Sequence, residues 1–182
     1  MTGSKINGPT ILTLLRIILV APLMIFIFMD NLPAQITTIA CFTIASLTDF
    51  IDGRWARKTK QVTDLGAFLD PLADKMLINL TFLALVVLNL MPVWMFATIL
   101  IRDFAVDGMR MMLASKGTIV SASVLGKSKT MTQMFTVILI LFNRILNLEP
   151  VSMVCNILLY MVVILTILSG LDYLTKGYKK IK

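Results

Sequence analysis

Six apolar runs, each close to twenty residues long, alternate with short polar segments along the whole chain. They cover about 9–29, 35–56, 67–90, 93–113, 130–147 and 151–174. A helix needs ~20 apolar residues to cross the hydrocarbon core of a bilayer, so each run is long enough to do so. The pattern predicts an all-α integral membrane protein of six transmembrane helices, folded as one domain over residues 1–182. Turns are expected at 30–34, 57–66, 89–92, 115–129 and 147–150. Met1–Pro9 is too short and polar to start a signal peptide, and no small-residue cleavage site follows the first run, which should stay as an anchor. The second and third runs and the distal part of the fourth carry charges. Charged groups at membrane depth face a protein cavity rather than lipid, so a polar, cytoplasm-facing cavity is expected there.

Composition agrees with this layout: of 182 residues, 58% are hydrophobic and 15% charged. The formal net charge is +7, and its distribution sets orientation. Lys5, Arg54, Arg57, Lys58, Lys60, Lys116, Lys127, Lys129, Lys176, Lys179, Lys180 and Lys182 fall on the side shared by both termini and the two longer loops. The opposite turns offer Arg144 against Asp30 and Glu149. The positive-inside rule therefore places both termini in the cytoplasm, in a multi-pass protein of the cell membrane. Spread over loops at a membrane face, these cations do not form a nucleic-acid footprint, so no nucleic-acid partner is expected. Cys41 and Cys155 lie inside runs, without metal-ligand spacing, and read as buried thiols. Histidine is absent, which leaves acid–base chemistry to carboxylates, lysine or water.

Four aspartates interrupt the apolar pattern: Asp49 and Asp52, then Asp70 and Asp74. Spacings of three and four put each pair on one face of a helix, with Cβ atoms about 5–6 Å apart. The intervening turn can fold the third helix back beside the second and converge all four carboxylates near the cytoplasmic surface. Bare carboxylates that close repel one another, and hard divalent cations relieve the repulsion. An all-oxygen site suits Mg²⁺ or Mn²⁺ better than Zn²⁺. Gly53, Ala56 and Gly66 are small where a ligand could approach. Arg57 offers planar donors suited to phosphate, and Thr63 a hydroxyl. Together these residues describe a diphosphate site at a membrane surface. A structural polar core, or a proton or ion path, is the bland alternative.

The order D-x-x-D-G-x-x-A-R, eight residues, G-x-x-x-D-x-x-x-D, running from Asp49 to Asp74, resembles the signature of the CDP-alcohol phosphotransferase family at every defined position. The resemblance implies that Asp49, Asp52, Asp70 and Asp74 hold two metal ions around the diphosphate of CDP-diacylglycerol. Asp49, Asp52, Gly53, Ala56, Arg57, Thr63 and Gly66 would contact that lipid. It further implies that Asp74 is the general base and that the protein is a homodimer in the bilayer. The amino end matches in part: Asn7-Gly-Pro9-Thr10 precedes Leu12-Thr13 and Arg16, with Thr10 where the family more often has asparagine.

Three further segments are similar to the family's bacterial branch that makes phosphatidylglycerol phosphate: Arg102-Asp103 to Arg110, Gly126-Lys127-Ser-Lys129-Thr130, and Leu168-Ser-Gly170-Leu-Asp172-Tyr173. Arg102, Arg110, Lys127 and Lys129 could make a cationic pocket for a phosphorylated acceptor, glycerol 3-phosphate. The competing reading pairs the arginines with Asp103 or Asp107 and leaves both lysines as positive-inside residues. The expected reaction transfers the phosphatidyl group from CDP-diacylglycerol to glycerol 3-phosphate and releases CMP. Inositol phosphate or phosphatidylglycerol as acceptor, and a cation-conducting membrane protein, are the alternatives.

Overall fold

The computed structural model describes residues 8–59, 64–117 and 124–181, with side chains over 10–48, 69–117 and 125–177. The described residues form six helices and no strand: α1 (Gly8–Phe26), α2 (Leu32–Thr59), α3 (Asp64–Val87), α4 (Val93–Ser115), α5 (Val124–Leu146) and α6 (Glu149–Ile181). Local chemistry sets several boundaries. Asn31 caps α2 by accepting the backbone N–H of Ala34 at 2.8 Å. Asn89 and Asn147 take positive φ values of 58° and 49° after α3 and α5. Asparagine tolerates this region better than other side-chain-bearing residues. Pro92 precedes α4 in extended conformation, where its missing N–H costs the helix nothing.

The helices extend beyond the apolar runs. Helix α5 begins at Val124, so Lys127 and Lys129 lie inside it rather than in a loop, and α6 continues to Ile181. Hydropathy marks where a segment stops being apolar, whereas the hydrogen-bond ladder continues through any residue of adequate helix propensity. Lysine is such a residue.

Helix α1 packs on α2 and α3, α5 packs on α2 and α6, and α4 packs on α6. Leu23, Ile27, Phe42, Phe82, Leu85, Met95, Ile99 and Leu159 fill the centre of the bundle. The outer surface is also apolar: Ile18, Ile101, Phe104 and Met153 are each 66–68% exposed. Such a surface belongs against lipid or another protein rather than water. The buried polar residues lie on the inside instead. Thr38, Thr81, Thr136 and Thr166 each donate to the carbonyl four residues earlier, at 2.6–2.9 Å, which satisfies a hydroxyl where no water is needed. Only Glu149–Gly177 in α6 is by itself long and apolar enough to cross a membrane among the described residues. Shorter apolar stretches are Thr10–Phe26 and Leu32–Thr48. At one end of the bundle, Arg144 of α5 donates to the Ile27 carbonyl and to Asp30, tying the α1–α2 turn to α5.

Two glycines let α4 approach α6. A Cβ on Gly177 would stand 2.1 Å from Met109 Sδ, and one on Gly170 would stand 3.0 Å from Arg102 Cγ. Where the exterior is apolar too, close packing of this kind holds helices together more than exclusion of water does. Cys41 and Cys155 are buried and free, as their setting suggests.

Candidate active site

Helix α1 presents a buried stripe of Thr10, Thr13, Arg16, Val20 and Leu23, which Ile27 continues in the turn just past its end. The intervals of three and four are those of one helical face, and the first half of that face is polar. Thr13 Oγ1 donates to Asp70 Oδ1. Arg16 Nη1 donates to Asp74 Oδ1 at 2.5 Å. Residues three apart on α1 thus grip residues four apart on α3, so a turn of one helix is registered on a turn of the other. Pro71, between the two aspartates, has no N–H to give the ladder. The Arg16 side chain is 1% exposed, whereas Asp74 is 37% exposed. Its carboxylate is therefore held from the protein side and reachable from the other.

Asp70 and Asp74 are the two of the four sequence-motif aspartates whose side chains are described. The side chains of Asp49, Asp52, Gly53, Ala56, Arg57 and Gly66, and all of Thr63, lie outside the described residues. The backbone runs as helix from Asp49 through Arg57 to Thr59, and Gly66 lies in the first turn of α3. Among the described residues no three acidic, cysteine or histidine side chains are gathered as a metal site; Asp70 and Asp74 offer the kind of carboxylate oxygens that a hard cation takes.

A second polar cluster joins α4, α5 and α6 to this one. Lys75, the residue after Asp74, donates to Asp107 on α4. One turn earlier on α4, Asp103 Oδ1 accepts from Arg102 Nη1 at 3.0 Å and from Lys129 Nζ of α5 at 2.5 Å. Tyr173 of α6 lies beneath both arginines. Arg102 Cζ is 5.7 Å and Arg110 Cζ 5.2 Å from its ring centroid, and Arg110 Nη2 donates to its hydroxyl oxygen at 3.3 Å. The ring quadrupole attracts each guanidinium, so two like charges share one neutral support. Arg102, Arg110, Lys129 and Lys75 stand against the carboxylates of Asp103 and Asp107, a surplus of two positive charges.

Of the four proposed acceptor-pocket cations, the cluster gathers Arg102, Arg110 and Lys129. Lys127 is exposed on α5 with no ion pair among the described residues. The arginine–aspartate reading holds for Arg102 with Asp103, while Asp107 takes Lys75 instead. Sequence reasoning gave no role to Thr13, Arg16, Lys75 or Tyr173. The first two had a visible signal, since polar residues at a three-residue interval inside an apolar run must face the interior. Lys75 had none, its partner lying 32 residues away, and Tyr173 was visible only as the end of the Leu168–Tyr173 segment, with its partner 63 residues away.

This bundle, with its paired aspartates and adjoining cationic cluster, belongs to the CDP-alcohol phosphatidyltransferase family, whose model matches residues 6–168. The match covers the motif aspartates and both clusters apart from Tyr173, and the family is divalent-metal dependent. Within the family the chain is 38% identical to the CDP-diacylglycerol–glycerol-3-phosphate 3-phosphatidyltransferase of Bacillus subtilis (strain 168), over 97% of each chain. Proteins of the same name from Rickettsia bellii (strain RML369-C) and Yersinia enterocolitica (serotype O:8 / biotype 1B) are 38% and 34% identical. Those alignments cover 96% of this chain and 96% and 97% of the relatives, respectively.

Proposed function

We propose that this protein is an integral membrane transferase that moves the phosphatidyl group of CDP-diacylglycerol to glycerol 3-phosphate, releasing CMP. The observation that carries the reading is the direct link between the two clusters: Asp74 and Lys75 are consecutive, one on the aspartate side and one reaching the cationic side. A reacting hydroxyl and the phosphate of the same small acceptor can then be held by neighbouring groups. The near-full-length similarity to relatives of that name supports the same acceptor.

The six helices span the bilayer, with both termini and the polar clusters toward the cytoplasm. The apolar exterior supports this arrangement, as does the ~30 Å hydrocarbon thickness. From Glu149, α6 rises about 32 Å to Gly170 at 1.5 Å per residue, so the cationic cluster comes level with the cytoplasmic interface. The acyl chains of the donor lie among the helices while its cytidine diphosphate faces the cytoplasm.

Asp49, Asp52, Asp70 and Asp74 would hold two divalent ions, Mg²⁺ or Mn²⁺, which when bound would supply neutralisation of the diphosphate and polarisation of the reacting phosphorus. Gly53, Ala56 and Gly66 leave room for the donor, and Arg57 and Thr63 contact it. Arg110, Arg102 and Lys129 bind the acceptor phosphate, whose two negative charges match the cluster's surplus, and exposed Lys127 contributes long-range attraction. Asp74 takes the proton of the acceptor's primary hydroxyl as its oxygen bonds to the diacylglycerol-linked phosphorus. The bond from that phosphorus to the CMP oxygen breaks in line, and CMP leaves. Arg16 and Thr13 hold the Asp74 and Asp70 carboxylates in place for this step. The protein acts as a homodimer.

Purified protein given CDP-diacylglycerol, Mg²⁺ and glycerol 3-phosphate should release CMP, and Asp74→Asn should slow the release by roughly 10²–10⁴-fold. Undiminished release by Asp74→Asn removes the assigned base.

A further inference from the structure

Helices α4 and α6 lie side by side in a register fixed at three points. The Trp94 and Tyr160 rings are 6.2 Å apart, Arg102 packs on Gly170, and Met109 packs on Gly177. Because α4 begins at Val93, the stretch of α6 before Tyr160 has no α4 beside it. That stretch is about 16 Å long from Glu149, at 1.5 Å per residue. Along this side of α6, Met153, Ile157, Tyr160 and Ile164 recur at intervals of three and four, each 54–68% exposed. Val93 and Trp94, both exposed, form a step where α4 begins. Asn156 is exposed too and flanks the stripe, one turn from Tyr160. Thr98 and Ser152 each turn a hydroxyl back on the carbonyl four residues earlier. Asn156 does not: no hydrogen bond to its amide is present among the described residues. It lies about 10 Å inside the outer end of α6 and about 21 Å from Gly170, within the hydrocarbon core. So short a side chain cannot reach water or headgroups from there, and an unpaired amide in hydrocarbon is costly.

We propose that this face of α6 is the seam of the homodimer, where Asn156 pairs with its equivalent in a second copy, each amide donating to the other's carbonyl oxygen. The inference rests on the membrane-spanning, homodimeric reading given above and assigns it a surface. Two copies inserted the same way round share a twofold axis along the membrane normal, so a residue beside that axis meets itself at its own depth. An amide carries both a donor and an acceptor and is therefore its own complement. Lipid chains could cover Met153, Ile157 and Ile164, but they would leave the amide without a partner. Trp94 and Tyr160 enlarge the contact with the kind of aromatic surface that protein interfaces favour.

The test uses the full-length chain in liposomes, with Cys41 and Cys155 replaced by alanine so that each variant carries one introduced thiol. Under mild oxidation, Ile157→Cys should give a disulfide-linked dimer. Ile18→Cys, equally exposed but on α1, should give at least tenfold less. Asn156→Leu suits an apolar face and should raise the dimer dissociation constant, read by fluorescence energy transfer between labelled copies, roughly 5- to 30-fold. Asn156→Gln keeps both amide groups and should raise it less than threefold. Cross-linking through Ile18→Cys but not Ile157→Cys leaves the homodimer standing and overturns this seam. An unchanged dissociation constant in Asn156→Leu gives the face to lipid and overturns it as well. Energy transfer absent from the wild type at every protein-to-lipid ratio removes the homodimer itself, and this seam with it.

Discussion

Replacing Arg16 by methionine removes the buried guanidinium that holds Asp74 while keeping a long side chain in its place. A hydrogen bond to a charged group contributes about 1.5–3 kcal/mol. Breaking a fully buried pair costs about 3–5 kcal/mol, because the orphaned partner stays dry. Here the orphan is Asp74, whose side chain is 37% exposed against 1% for Arg16. Water can reach the carboxylate, so the smaller figure governs. If that energy serves to orient the base, kcat for CMP release should fall roughly 10- to 150-fold. The apparent KM for glycerol 3-phosphate should change little, because Arg110 and Tyr173 are untouched. Arg16→Lys should recover part of the loss, since it keeps the charge without the planar fork. Thermal unfolding in detergent, measured beside the kinetics, separates misplacement of Asp74 from loss of fold. Arg16→Met combined with Asp74→Asn should be no worse than Asp74→Asn alone, because both act through one contact. A kcat within threefold of wild type for Arg16→Met, or independent losses in the double variant, would refute the positioning role.

Other outcomes follow from the same geometry. Tyr173→Leu removes the ring under two guanidinium groups and should raise the apparent KM for glycerol 3-phosphate by roughly 30-fold, the equivalent of one desolvated cation–π contact of about 2 kcal/mol. Tyr173→Phe keeps the ring and should change KM less than threefold; steady-state CMP release with varied acceptor measures both. Arg110→Ala should raise the same KM with a smaller effect on kcat, and an unchanged KM removes it from the acceptor site. Gly177→Ala should lower the stability of the bundle by about 1–3 kcal/mol through overpacking on Met109. Adding Met109→Ala should restore most of the loss, which paired unfolding curves would read.

The hydropathy pattern carries most of the architecture. Each of the six apolar runs falls within or largely overlaps one of the six helices. Helix ends were less legible. Val124–Lys129 and the segment after 174 continue as helix through polar residues, where hydropathy falls but the backbone ladder does not. At the site, Asp70 and Asp74 are readable from spacing. Arg16 and Thr13 are readable only once the first run is seen as a stripe with a polar end. The contacts of Tyr173 and Lys75 could not be read, since their partners lie 63 and 32 residues away and are chosen by packing. The pairing of Arg102 with Asp103, open in the sequence, follows from the way α5 brings Lys129 against the same carboxylate.

The transfer itself is tested most directly with radiolabelled glycerol 3-phosphate. Incubated with purified protein, CDP-diacylglycerol and Mg²⁺ or Mn²⁺, the label should pass into the organic-soluble lipid fraction in step with CMP release. Omitting CDP-diacylglycerol, chelating the metal or introducing Asp74→Asn should leave it in the aqueous phase. Label that stays aqueous while CMP is released with inositol phosphate or phosphatidylglycerol would contradict the assigned acceptor. No CMP release with any acceptor would contradict the reaction.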